Sequence, residues 1–100
     1  MIARLWHGAV PTSKADEYLR LMREVAIPDY RAVPGNVGAY ALRRTEGDLA
    51  HFVMLTFWES MEAVARFAGD DVDAAKYYDF DAEFLIELEP TVKHYDVADR

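Results

Sequence analysis

Leu49-Ala50-His51-Phe52-Val53-Met54-Leu55-Thr56-Phe57-Trp58 is the stretch on which the fold turns. Its β-branched and aromatic residues predict a strand. The apolar side chains Leu49, Ala50, Phe52, Val53, Met54, Leu55, Phe57 and Trp58 fall on both faces of the pleat, so both faces need cover. Upstream, residues 37–45 read as a second strand, and Glu46-Gly47-Asp48 supplies the glycine that a tight hairpin requires. Downstream, Ser60 offers an N-cap for a short helix through residue 68, with Val64, Phe67 and Ala68 inward and Gly69 at its end.

Residues 2–10 are rich in β-formers and stop at Pro11-Thr12-Ser13, which makes them strand one. Ser13 can cap a following helix with Asp16 three residues on. Ala15, Tyr18, Leu19, Met22, Val25 and Ala26 then recur at helical spacing as one apolar stripe. Ile27 precedes Pro28 and is pushed towards extended geometry, so the helix is expected to stop near Ala26, with a short extra turn around 29–31. Pro34-Gly35-Asn36 marks a turn, a second helical piece is expected over 71–78, and 79–89 is acidic and aromatic. Pro90 introduces a last strand over 92–97. The order βαββαβ predicts an α+β, ferredoxin-like domain spanning residues 1–100, an antiparallel four-stranded sheet in the order 4-1-3-2 with both helices on one face. Two helices cover one face only. The expected cover for the other is the same face of a second copy, hence a homodimer.

Composition narrows the function. The chain has 100 residues, 52% of them hydrophobic, which is one globular core and no more. Eighteen acidic against eleven basic residues give a net charge of −7, and the acids gather over 70–89 with no basic stripe. That field repels phosphate backbones, so no nucleic acid partner is expected. No apolar run reaches membrane-spanning length, and Met1-Ile2-Ala3-Arg4-Leu5-Trp6-His7 lacks the apolar stretch of a signal peptide; no membrane contact and a cytoplasmic location are expected. The absence of cysteine excludes thiolate catalysis and thiolate-bound metal centres.

The strand ending Leu55-Thr56-Phe57-Trp58-Glu59-Ser60, followed by a short helix, resembles the antibiotic biosynthesis monooxygenase family of dimeric α/β barrels. Ile27-Pro28-Asp29-Tyr30 with Pro34-Gly35-Asn36 is similar to a branch of that family without assigned chemistry. The resemblance covers nearly the whole chain in element order. It implies fold before chemistry, because members include cofactor-free oxygenases of polyphenols, quinol oxygenases, haem-degrading oxygenases and proteins without known activity. The haem-degrading branch uses an asparagine on strand one, the tryptophan closing strand three and an iron-ligating histidine in the next helical segment. The matching positions here are His7, Trp58 and Asp73-Ala74-Ala75-Lys76-Tyr77-Tyr78, which contains no histidine. The resemblance therefore implies a protein with no cofactor, oxidising a small electron-rich aromatic such as a polyphenol or quinol with dioxygen. The alternative is a non-catalytic small-molecule binding or sensing dimer.

Several residues could carry such chemistry. Imidazole has the basicity to remove a phenolic proton at neutral pH, which makes His7 the candidate base. Trp58 can form a flat wall and donate a hydrogen bond to a substrate oxygen, or can simply pack at a strand end. Phe57, Phe67 and Phe84 supply an apolar enclosure, and Tyr40, Tyr77 and Tyr78 add phenolic groups, with docking of their segment on the sheet as the alternative for Tyr77 and Tyr78. The expected pocket lies between the helices and the sheet. His7, His51 and His94 approach one end of the sheet, and a metal site would need all three on one face; no metal is expected. His51 and Trp58 lie roughly 23 Å apart along the strand and cannot share one small site. Arg43, Arg44 and the acidic run are expected to be solvated.

Overall fold

The computed structural model describes residues 1–86 and 89–99. Strand β1 runs Ile2–Pro11, β2 Asn36–Glu46, β3 Leu49–Trp58 and β4 Lys93–Asp96, in one antiparallel sheet of order β2-β3-β1-β4, the arrangement expected. Burial along β3 alternates without a break: Ala50, Phe52, Met54, Thr56 and Trp58 are buried, while Leu49, His51, Val53, Leu55 and Phe57 are half-buried. Pairing of Trp58 with Ile2 and of Leu49 with Pro11 carries the same parity into β1. Even-numbered β1 residues thus lie under the helices and odd-numbered ones on the open face. Gly47, at φ 60°, occupies the first central position of the two-residue β2–β3 loop, where a side chain would be strained.

The helical run departs from expectation. Thr12–Lys14 forms a 3₁₀ turn, and Ser13 makes no side-chain cap. Helix α1 (Ala15–Leu21) passes through a π-helical turn, Met22–Ala26, into α2 (Ile27–Ala32). Ile27 is helical at φ −59°, ψ −48°, not extended. Pro28 sits in the first turn of α2, where its missing N–H is no loss, and the wide turn before it relieves the crowding that proline imposes. Burial of Ile27 and Tyr30 against the sheet rewards the continuation. The same turn rotates Val25 outwards, to 40% exposure, against the expected apolar stripe.

Helix α3 (Met61–Ala68) begins where expected: Ser60 Oγ accepts from the Ala63 N–H at 3.2 Å, and Gly69 closes it at φ 85°. Residues 71–78 do not form the expected helix. Their backbone is claimed by tertiary partners, with Ala75 N–H donating to Pro90 O, Val92 N–H to Asp73 O, and a bridge between Ala74 and Thr91. Among the described residues of the acidic, aromatic stretch, only Asp81–Phe84 (α4) is helical; residues 87 and 88 of that stretch lie outside the described residues. No helix among the described residues is long and apolar enough to cross a membrane.

Parity makes two neighbouring substitutions opposite in effect. Met54, 1% exposed, faces the helices, so Met54→Asp should cost on the order of 4 kcal/mol or more and unfold the chain. Val53→Asp, on the open face, should leave a folded chain by far-UV circular dichroism and thermal denaturation. A folded Met54→Asp with an unfolded Val53→Asp would mean the faces are assigned the wrong way round.

Candidate functional site

Sheet parity divides the residues singled out from sequence. Trp58, Phe67 and Phe84 pack on the helix side; His7, Tyr40 and Phe57 belong to the open face. His7 and Trp58 therefore stand on opposite faces and do not share a pocket. A strand-one residue on the same side as Trp58 has to be even-numbered, as Arg4 and Trp6 are and His7 is not. Trp58 is fully buried, its Nε1–H already donates to Thr56 Oγ1 at 2.9 Å, and its ring packs on Phe67 at 5.7 Å. Tyr78 donates to Asp29 Oδ2 at 2.6 Å and stacks on Phe80. Tyr77 meets Trp6 edge-on and donates to the Glu89 carbonyl. Tyr40, 55% exposed, lies edge-on to Phe57.

Of the three histidines, two meet. His7 and His51 stack with centroids 5.3 Å apart, and His7 Nε2 lies 3.0 Å from His51 Nδ1. Glu89 Oε1 accepts from His7 Nδ1 at 2.8 Å, and Glu46 Oε2 lies 3.5 Å from His51 Nε2. The two rings thus form one chain of contacts between the Glu89 and Glu46 carboxylates. Beside this chain a cleft of about 330 Å³ is lined by Leu5, His7, Val53 and residues 89–93. His94 points the other way, opposite Arg4 on the helix side. No group of three or more His, Asp or Glu suited to a metal ion occurs among the described residues.

The helix side holds polar groups that the sequence reading did not single out. Arg4 is 1% exposed, lies over the Phe67 ring at 5.4 Å and donates from Nη2 to Ala74 O at 3.0 Å. Its Nε, the Trp6 Nε1 and the His94 Nε2 are buried without a hydrogen-bond partner. These three atoms belong to adjacent positions of one face: Arg4 and His94 pair across β1 and β4, and Trp6 follows Arg4 by two residues. Desolvation weakens the Arg4 guanidinium's hold on its proton. His94 is held below its ordinary value of 6.5 by burial and by the Arg4 charge, against the pull of Asp73 Oδ1, 3.1 Å from Nδ1. Nearby, Tyr18 donates to Asp81 at 2.7 Å, and burial raises the Asp81 carboxyl despite that bond and one from Tyr78 N–H. The remaining void among Trp6, Tyr30, Met54, Lys76 and Tyr78 is about 10 Å³, room for one water. An arginine inside an apolar strand, in phase with Trp6, was the available signal.

Fold and site together define a ferredoxin-like α+β domain with a polar group buried between sheet and helices. The sequence profile of the antibiotic biosynthesis monooxygenases matches residues 1–72, and the chain belongs to that family. Among solved structures, a candidate antibiotic biosynthesis monooxygenase from Nitrosomonas europaea superposes with a TM-score of 0.72 at 17% identity, over 99% of this chain and 100% of that one. Rv0793 from Mycobacterium tuberculosis gives 0.62 at 19% identity, over 99% and 96%. A variant of MhuD with two manganese protoporphyrin IX bound per active site gives 0.62 at 21%, over 100% and 97%. At these identities the likeness is one of fold. No curated protein matches the chain.

His94 makes stability depend on pH. Its folded value is lowered, so below 6.5 the unfolded chain takes up a proton that the folded chain refuses. Stability is therefore full above that value and is lost as pH falls from it towards the lower folded value. The melting temperature should drop between about pH 7.5 and about pH 5.5, and His94→Gln should remove most of that drop. An equal drop in the variant would mean that His94 is not the group responsible.

Proposed function

We propose that this chain works as a homodimer that oxidises a small electron-rich aromatic, a polyphenol or quinol, with dioxygen and no bound cofactor, in the space between helices and sheet. One observation carries the reading: a buried guanidinium, Arg4, forms no ion pair among the described residues and lies under aromatic rings. A buried cation without a contact ion pair, balanced only by the Asp73 charge at longer range, is costly, and the negative charge of a deprotonated substrate is the natural complement. In this chemistry the substrate anion supplies the electrons, so the protein needs a dry aromatic enclosure and fixed positive charge. Trp58, Phe67 and Tyr30 supply the enclosure.

The dimer follows from the open face. Leu5, Val53, Leu55 and Phe57 are only half-buried there, beside the exposed Tyr40 and Leu42. A second copy of the same face would cover them, together with the His7–His51 pair. A binding or sensing dimer without chemistry is the second reading, favoured by the closure of the helix side to about 10 Å³. Either function requires the connection over 70–80 to move aside.

Two measurements test this. Sedimentation equilibrium at micromolar concentration should give twice 11.4 kDa, and a single-chain mass would remove the dimer. Oxygen uptake with hydroquinones and catechols should occur without added cofactor, and Arg4→Met should lower kcat/KM by about a hundredfold, the scale of losing one charge-stabilising group. Binding without uptake across the series would favour the sensing dimer.

A further inference from the structure

We propose that a groove on the flank of the helical run, walled by Arg23 and Arg31 and floored at the edge of β2, is a binding site for a small aromatic carboxylate. The site lies outside the space under the helices and does not depend on the function proposed above.

The helical run presents Leu19, Arg23, Ile27 and Arg31 at every fourth position. A continuous α-helix would carry such a row gradually round its axis, but the π-helical turn Met22–Ala26, with more residues per turn, takes back part of that drift. The row stays on one flank and faces Ala39 and Ala41 across a groove of about 320 Å³. These two residues belong to the helix side, opposite Thr56 and Met54, and their small side chains leave the groove unfilled. Among the described residues β2 pairs with β3 alone, so its other edge is free. Arg31 Nη2 donates to Ala39 O at 3.4 Å, which places that carbonyl on the free edge. The N–H groups of Ala39 and Ala41 share its direction, because both backbone groups of a strand residue point to the same side.

Charge selects the guest. The chain carries eighteen acidic against eleven basic residues, yet no carboxylate among the described residues pairs with Arg23 or Arg31. The four acids of the helical run are engaged elsewhere. Asp16 holds Arg43 at 2.8 Å, Glu17 and Glu24 flank Arg20 at 4.0 and 2.9 Å, and Asp29 takes the Tyr78 hydroxyl and the Lys76 ammonium. Two permanent cations thus border an apolar stretch formed by Ile27, Pro28 and Ala41. A carboxylate matches the fork of a guanidinium, and the edge N–H groups add donors. The apolar stretch between the cations suits a flat hydrocarbon body, from which a bare inorganic anion would gain nothing. The volume is that of a site for a molecule of one or two rings.

An amide NMR titration of the full chain with 2-naphthoate tests this. Signals over 19–31 and 39–41 should move together and saturate, and 2-naphthamide, of the same shape without the charge, should bind about tenfold more weakly. Arg23→Gln and Arg31→Gln should each weaken naphthoate binding about tenfold. Ala41→Leu, which fills the groove and keeps both cations, should abolish binding with the far-UV circular dichroism unchanged. Should that variant not fold, the double variant of the two exposed arginines should bind naphthoate no better than the amide. Equal affinity for the amide, affinity unchanged in both arginine variants, or signals moving instead around Arg4 and His94 each overturns the proposal. Inorganic phosphate binding as tightly as naphthoate also overturns it, because the cations alone would then suffice, as does the absence of saturation at millimolar naphthoate.

Discussion

Everything in this molecule hangs on the pairing of β3 with β1. The register that sets Trp58 opposite Ile2 and Leu49 opposite Pro11 assigns every side chain of both strands to one face. Because the side-chain period is two, a slip of one residue would bring His7 under the helices and turn Trp6 and Arg4 out to the open face. The register is held by what it buries: Phe52, Met54 and Trp58 from β3, with Trp6 and Val10 from β1, all under the helical run and α3. The Glu46–Leu49 hairpin then locks β2 onto the other side of β3.

That register gives the sheet two chemically different faces. Under the helices lies an aromatic interior with a buried arginine and the carboxylate-oriented His94. On the open face, His7 and His51 form a chain of contacts between Glu89 and Glu46 within an apolar surface. The two clusters are separated by the sheet itself and not by distance along the chain. Arg4 and His7 are three residues apart in β1, yet they face opposite environments.

The charge distribution fits this division. The acidic excess is concentrated after residue 70, and most of it is exposed, as with Asp70, Asp71, Asp73 and Asp79. Asp73 nevertheless reaches His94, and Asp29 holds Tyr78 and Lys76. Acidic residues thus brace the buried site from outside, and the charge of Asp73 acts on Arg4 as well as on His94. Among the acidic side chains of the described residues, Asp81 is the buried one, and it is engaged by Tyr18 and the Tyr78 backbone.

The sequence by itself determined the strands, the hairpin, the Ser60 cap, the sheet order and the family, because each rests on a local signal: alternating apolar residues, a turn glycine, a capping hydroxyl, a Trp-Glu-Ser ending. It also foretold that both faces of β3 need cover. Tertiary structure alone decided the rest. Ile27 and Pro28 stay helical because burial of Ile27 and Tyr30 outweighs a local preference, and 71–78 stays irregular because Arg4 and residues 90–92 claim its backbone. The candidate site was hidden for the same reason. Whether His7 or Trp6 shares a face with Trp58 is a question of register between two strands far apart in the sequence, and no local pattern records it.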